Sequence, residues 1–184
     1  MQQEKKDKNK TQGQQDYESG QEFLKNQDIS QAANAFHNAL ISFEQEKDEN
    51  GVANASDKLC DICNERGEIE KALEHLQRAY TICDKSSDRF SLFSLERKKA
   101  ELIYKSGDLD KALTLYLDIL DEFGALRNPQ GSVDTLETMA DIYIKLDDKE
   151  KAADAYRLIA SIHKSFKHNK HEEEFLAKAA SLEG

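Results

Sequence analysis

Four segments of this chain carry nearly the same phrase: NQDISQAANAF at 26–36, RGEIEKALEHL at 66–76, SGDLDKALTLY at 106–116 and LDDKEKAADAY at 146–156. Their central alanines, Ala32, Ala72, Ala112 and Ala152, follow one another at a single constant interval. A fixed spacing of this kind constrains the fold more than any local propensity, because each unit must bury its apolar face against copies of itself. The pattern points to a binding scaffold and does not name a partner.

Counting units from 13, 53, 93 and 133, the eighth position is always small: Gly20, Cys60, Ala100, Ala140, and then Ala180. The twenty-fourth is large: Phe36, Leu76, Tyr116 and Tyr156. Small residues let two antiparallel helices approach, and the large residue fills the adjoining space. Within each unit one apolar run ends near Gly67 or Gly107 in the middle repeats, and a second begins just beyond it, which predicts a helical hairpin. Glycine there takes the left-handed conformation that ends the first helix, while Asp28, Asp108 and Asp148 cap the second. Gln27 and Asp147 replace glycine in the outer units, so those turns are expected to be less favourable.

One proline and 34% charged residues agree with long helices. Neither the amino-terminal MQQEKKDKNK nor any later stretch has the apolar run of a signal peptide or a membrane span, so the expected location is the cytoplasm, with no membrane partner. Three cysteines make no disulfide framework. A net charge of −10 repels phosphate backbones and argues against nucleic acid. Residues 1–12 carry nothing to bury and are expected to form a disordered tail.

The tempting chemical motifs fit the packing register better than they fit chemistry. Cys60 and Cys63 form a CxxC, yet they occupy the positions of Gly20 and Phe23, or Ala140 and Tyr143; Cys83 shares its place with Phe43 and Phe123. All three read as core. His163, His168 and His171 cluster, but HEEEF is not HExxH, since position 175 is phenylalanine. No Walker loop, GxGxxG or GxSxG occurs. The chain is expected to be no enzyme and to carry no metal or cofactor.

At the ends, Gln15, Ser19 and Glu22 are polar where later units have apolar residues such as Ile62, Leu102 and Ile142, which reads as a true amino-terminal end. At the other end HEEEFLAKAASLEG restarts the first-helix pattern with Phe175, Leu176, Ala179 and Leu182, and reads as a capping helix.

On Gly20, Phe23, Ala32, Phe36 and Ala39 in the first unit, and Ala140, Tyr143, Ala152 and Tyr156 in the fourth, the chain resembles the tetratricopeptide repeats, in their long-repeat subclass. The resemblance implies an all-α fold: an α-α superhelix, a TPR-like solenoid of four helical hairpins, with repeats at 13–52, 53–92, 93–132 and 133–172 and a capping helix at 173–184. It also implies a concave wall lined by defined positions of each first helix. Carried onto this sequence, the wall takes Tyr17 and Leu24 from repeat one, Asp57, Asp61 and Asn64 from repeat two, Arg97, Lys98, Glu101, Tyr104 and Lys105 from repeat three, and Glu137, Asp141 and Ile144 from repeat four. Repeat two is acidic, repeat three basic and repeat four acidic, so the expected ligand is a mixed-charge helix or peptide of another protein, with Tyr104 as anchor. The implied function is a non-catalytic protein-interaction adaptor. A self-assembling homo-oligomeric scaffold and a sensor subunit whose output lies on another chain are the alternatives.

Overall fold

The computed structural model describes residues 10–183, which form nine helices and no strand. These are α1 (Gln12–Lys25), α2 (Ile29–Glu46), α3 (Glu49–Glu65), α4 (Ile69–Lys85), α5 (Arg89–Ser106), α6 (Leu109–Ala125), α7 (Pro129–Lys145), α8 (Lys149–Ser165) and α9 (Asn169–Glu183). The expected tail falls mostly on residues 1–9, which lie outside the described residues. At 10–12 the chain is already structured: the Thr11 side chain accepts from the Gln14 N–H, and the Thr11 N–H donates to the Gln14 side chain, a reciprocal capping box.

The helices are joined by turns of one design. Left-handed residues occur at Gln27, Lys47, Gly67, Ser87, Gly107, Arg127, Asp147 and Lys167, evenly spaced at two per repeat. At the first, the Asp28 N–H donates to the Phe23 carbonyl (2.9 Å) and the Gln27 N–H to the Leu24 carbonyl (3.0 Å), which satisfies two carbonyls the helix would leave orphaned. The next residue then starts the following helix: Asp28, Asp48, Asp88, Asp108, Asn128 and Asp148 each accept a bond from a backbone N–H in its first turn. Glu68 and His168 depart from this: the longer Glu68 carboxylate goes to Lys71 Nζ (2.6 Å) and makes no cap, and the His168 Nδ1 lies 3.5 Å from that of His163. The turns between hairpins are therefore built like the turns within them, and α3, α5 and α7 begin at 49, 89 and 129 rather than 53, 93 and 133; likewise α9 begins at 169 rather than 173.

The contacts divide the chain into two compact units, Met1–Leu102 and Ile103–Gly184, with the boundary inside α5. In the first unit α1, α2, α3 and α4 pack in succession, and the early part of α5 joins α4. Its core has two clusters, one around Phe36, Leu40, Phe43, Leu59 and Ile62 and one around Cys60, Leu76, Cys83, Leu95 and Leu102, with Ile82 packed against both. In the second unit α6 to α9 pack in succession around Val133, Leu136, Ile159, Ala160 and Phe175. Gln15, Ser19 and Glu22 on α1 are exposed, where Ala55, Leu59 and Ile62 on α3 are buried. On α9, Phe175 and Ala179 are buried, and Phe175 joins the core of the preceding hairpin.

Residue size decides how closely neighbouring helices approach. Phe43 of α2 lies between Gly13 of α1 and Gly51 of α3, where an added Cβ would stand 2.5 and 2.4 Å from ring carbons. Phe123 lies on Gly131 in the same way, at 2.5 Å. The equivalent pair in repeat two is Cys83 with Ser91, and here the smaller side chain leaves a cavity of about 100 Å³ lined by Ala53, Ala79, Cys83, Ser91 and Leu95. The fourth pair is His163 with His171, whose rings stack at 5.0 Å.

Gly131→Ala tests this packing. Alanine gains about 1 kcal/mol of helix propensity, but overpacking of this kind costs about 1–3 kcal/mol, so the expected net effect is a loss of up to about 2 kcal/mol in urea denaturation. Adding Phe123→Leu removes the clash and keeps the propensity. The double variant is therefore expected to be more stable than the sum of the two single changes, and strict additivity would contradict the close contact.

Candidate functional site

The first helices carry the wall residues expected from the sequence. In the first unit these side chains are already engaged with one another. Lys98 Nζ lies 2.6 Å from Asp57 and 2.6 Å from Asp61, which ties α5 to α3. Burial pulls the Lys98 pKa down, but the two carboxylates outweigh it and hold the ammonium above its usual range. Further along the same two helices, Asn64 donates to Glu101 at 3.2 Å. Tyr17 is half-buried, edge-on to Phe36 at 5.2 Å, and its phenol is pushed up first by burial and then by the Asp57 carboxylate. Leu24 packs against the same core. Arg97 is exposed. The expected alternation of acidic and basic repeats is thus, at Asp57, Asp61 and Lys98, a set of closed ion pairs.

The second unit differs. Lys145 Nζ donates to Tyr104 Oη at 2.5 Å and sits 4.3 Å from the centre of its ring, a hydrogen bond and a cation–π contact to one side chain. Next to Lys145 in the chain, Ile144 is 41% exposed and presents apolar surface to solvent. Lys105 and Asp141 are exposed and Glu137 is partly so. Burial raises the Tyr156 phenol, and the Asp141 and Glu137 carboxylates raise it further, against Lys178. Lys178 stands two repeat lengths after Lys98, just as Glu137 and Asp141 stand two repeat lengths after Asp57 and Asp61. In place of closing on those acids, Lys178 pairs with Glu174 (3.4 Å) and lies over the Phe175 ring (4.3 Å). Lys178 was not among the expected residues; the signal for it was its register with Lys98.

The cysteines belong to the packing. All three are buried and free, and burial pushes the Cys60 thiol up to about 12, which favours its protonated form at neutral pH. Among the described residues no group of three or more His, Cys, Asp or Glu side chains is placed to hold a metal ion, and no helix is long and apolar enough to cross a membrane.

The histidines sit at the α8–α9 junction. His163 stacks on Phe175 (5.6 Å) and His171 (5.0 Å), with its Nδ1 3.5 Å from that of His168. Burial and then the two neighbouring imidazoles push its pKa down, opposed by Glu137 and Glu174. A histidine held below its unfolded value favours the neutral form in the fold. Its contribution is therefore fully present above about pH 6.5 and is lost as the pH falls through that value towards the lower folded one. Thermal melts from about pH 7.5 to about pH 5 are expected to show falling stability in wild type and a shallower fall in His163→Phe, the residue type at the equivalent positions 43 and 123. His75, also depressed by burial, supplies part of the remaining slope. Equal slopes in both proteins would remove His163 from this role.

Comparison with known proteins places the fold. The structure is similar to the apo form of RapI (TM-score 0.75, 15% identity, 92% of this chain and 48% of that one). It is also similar to a signal transduction ATPase with numerous domains carrying a tetratricopeptide repeat sensor, from Pyrococcus horikoshii (0.70, 21%, 92% and 26%). A third similar structure is a Rap protein complexed with competence and sporulation factor (0.62, 14%, 93% and 54%). The chain spans about half of RapI and about a quarter of the Pyrococcus protein. These likenesses establish an all-α fold of the TPR-like helical-repeat class. Comparison with curated protein sequences gives no match. The family model of the soluble NSF attachment proteins matches residues 1–128, more than two thirds of the sequence, and on that match the chain belongs to the SNAP family.

Proposed function

We propose that this protein is a non-catalytic interaction scaffold that binds a segment of another protein on the first-helix face of its second unit. The observation that carries this reading is the cluster of Tyr104, Ile144 and Lys145: a half-buried aromatic held in place by a cation, next to an exposed branched aliphatic. Rigid aromatic anchors beside apolar surface supply most of the affinity at protein interfaces, and charges around them set specificity and encounter rate. Glu137, Asp141 and Lys105 provide that rim. The first unit offers less, because a ligand there must compete with contacts that Lys98 makes at 2.6 Å. Two comparisons support the class of function: the family is named for attachment to a protein, and a structurally similar Rap protein is complexed with a factor.

The test is affinity capture of a partner from the source cell, followed by titration calorimetry with variants. Tyr104→Ala is expected to weaken binding roughly 30-fold, the effect of losing about 2 kcal/mol at a hot spot, and Ile144→Asp to weaken it comparably, with circular dichroism unchanged. Lys98→Ala is expected to behave in the opposite manner, lowering the melting temperature by leaving Asp57 and Asp61 only the more distant Lys58 ammonium, at 4.0 and 3.9 Å, while affinity holds. Undiminished binding by both Tyr104→Ala and Ile144→Asp would move the recognition surface elsewhere.

A further inference from the structure

The turns that join successive hairpins share one backbone but not one chemistry. In the first unit they present polar residues, Glu46 and Lys47 at one turn and Ser86 and Ser87 at the next. In the second unit the same positions hold Leu126 with Arg127 and Phe166 with Lys167. Leu126 and Phe166 are each 53% exposed, although both stand at helix ends where polar residues serve as well. A repeat array that keeps its turn geometry while placing a large apolar residue and a cation in water at two consecutive turns departs from what folding alone requires.

A cavity of about 120 Å³ opens beside these turns, lined by Pro129, Val133, Ile162, His163, Phe166 and His168. It lies at the fourth packing pair, with His163 in its wall. Where Phe123 lies on Gly131, His163 instead stacks on His171 and Phe175, and the space next to Val133 and Ile162 stays open. The volume suits one aliphatic side chain, and its walls are largely apolar.

Both turns carry exposed cations, with acids among them. Arg127, Lys167 and Lys170 are exposed and make no ion pair among the described residues, whereas nearby acids are engaged: Glu172 with Lys164 (3.2 Å), Glu174 with Lys178 (3.4 Å), and Asp134 with the Gln130 amide (2.7 Å). Glu173 is the remaining acid on the first turns of α9. The two turns thus hold three exposed cations within two residues of Pro129, Phe166 and His168, which line the apolar slot, on a chain whose net charge is −10.

We propose that the α6–α7 and α8–α9 turns form a second docking surface, which takes an acidic segment of another protein: one large aliphatic side chain enters the cavity beside Phe166, and carboxylates flanking it meet Arg127, Lys167 and Lys170. Complementary charge selects the acidic segment, and the slot, sized for a single side chain, selects a short linear stretch over a broad folded face. An anionic membrane is the poorer match, since three cations on a chain of this net charge give weak attraction to a surface and a lipid tail needs more room. This surface is separate from the Tyr104 face and does not depend on it.

The test uses the full chain, isotopically labelled, and a synthetic acidic peptide with one central leucine. Saturable shifts are expected at the amides of Leu126, Arg127, Phe166, Lys167 and Lys170, weakening as salt is raised. The double variant Arg127→Glu/Lys167→Glu and the single variant Phe166→Ser are each expected to raise Kd roughly tenfold or more, while Tyr104→Ala leaves it unchanged. A peptide with glycine in place of leucine is expected to lose binding as well. All three changed turn residues are exposed, so circular dichroism is expected to match wild type. The proposal is overturned if the peptide shifts no amide at these turns, if charge reversal leaves Kd unaltered, or if vesicles containing phosphatidylserine bind in a Phe166-dependent way while the peptide does not.

Discussion

A short turn of fixed design sets the spacing of everything else. At the first, a left-handed residue lets two backbone N–H groups fold back onto the last carbonyls of one helix, and the following Asp accepts from a free N–H of the next; the design recurs, with Asp or Asn, at most of the others. Ending and starting are thereby compressed into adjacent residues, with no slack for a loop to vary. Because the turns are evenly spaced, helices α3, α4, α6, α7 and α8 are all of one length, 17 residues. Helices of equal length, launched from equal turns, meet their neighbours at equivalent residues, and only then can one side-chain rule hold from repeat to repeat.

That rule is conservation of volume at each junction. Phe43 needs Gly13 and Gly51; Phe123 needs Gly131; Gly20 lies under Phe36, where a Cβ would approach to 2.8 Å. In repeat two both partners change together, to Cys83 and Ser91, and the fit loosens to a cavity. At the last junction both become histidine, and ring stacking replaces insertion of a ring onto bare backbone. A compensated exchange of this kind preserves the helix approach while altering what the space between helices contains. It is how a repeat fold acquires local character without losing its frame.

The repeat, the hairpins and the caps at Asp28, Asp108 and Asp148 were legible because they combine a fixed spacing with residue types of known conformational preference. The equivalent turns between hairpins were not, although Asp48, Asp88 and Asn128 recur at the same interval as the central alanines. Their left-handed positions hold Lys47, Ser87 and Arg127, and none of these announces a positive φ. How the expected wall residues pair with one another was not legible. Asp57 and Lys98 belong to successive repeats, so the pair is invisible inside any one of them and emerges only when adjacent first helices are laid side by side. Tyr17 occupies a wall position by count, yet the ring of Phe36 holds it at the edge of the core.

Pairing of this kind changes what charge on a repeat surface means. Carboxylates and ammonium groups on the faces of neighbouring helices relieve like-charge repulsion by closing on each other, and a closed pair has little left to offer a ligand unless the ligand replaces both contacts. The acid pairs of α3 and α7 are equivalent by register, but the lysine that matches them closes only on the first. Lys98 sits between Asp57 and Asp61, while Lys178 is drawn to Glu174 and to the face of the Phe175 ring. An acid and an aromatic residue on α9 therefore engage the cation that stands in register with Lys98. Phe175 thus anchors α9 to the core and also holds the Lys178 ammonium over its ring, and Glu137 and Asp141 lack the lysine contact that Asp57 and Asp61 make with Lys98.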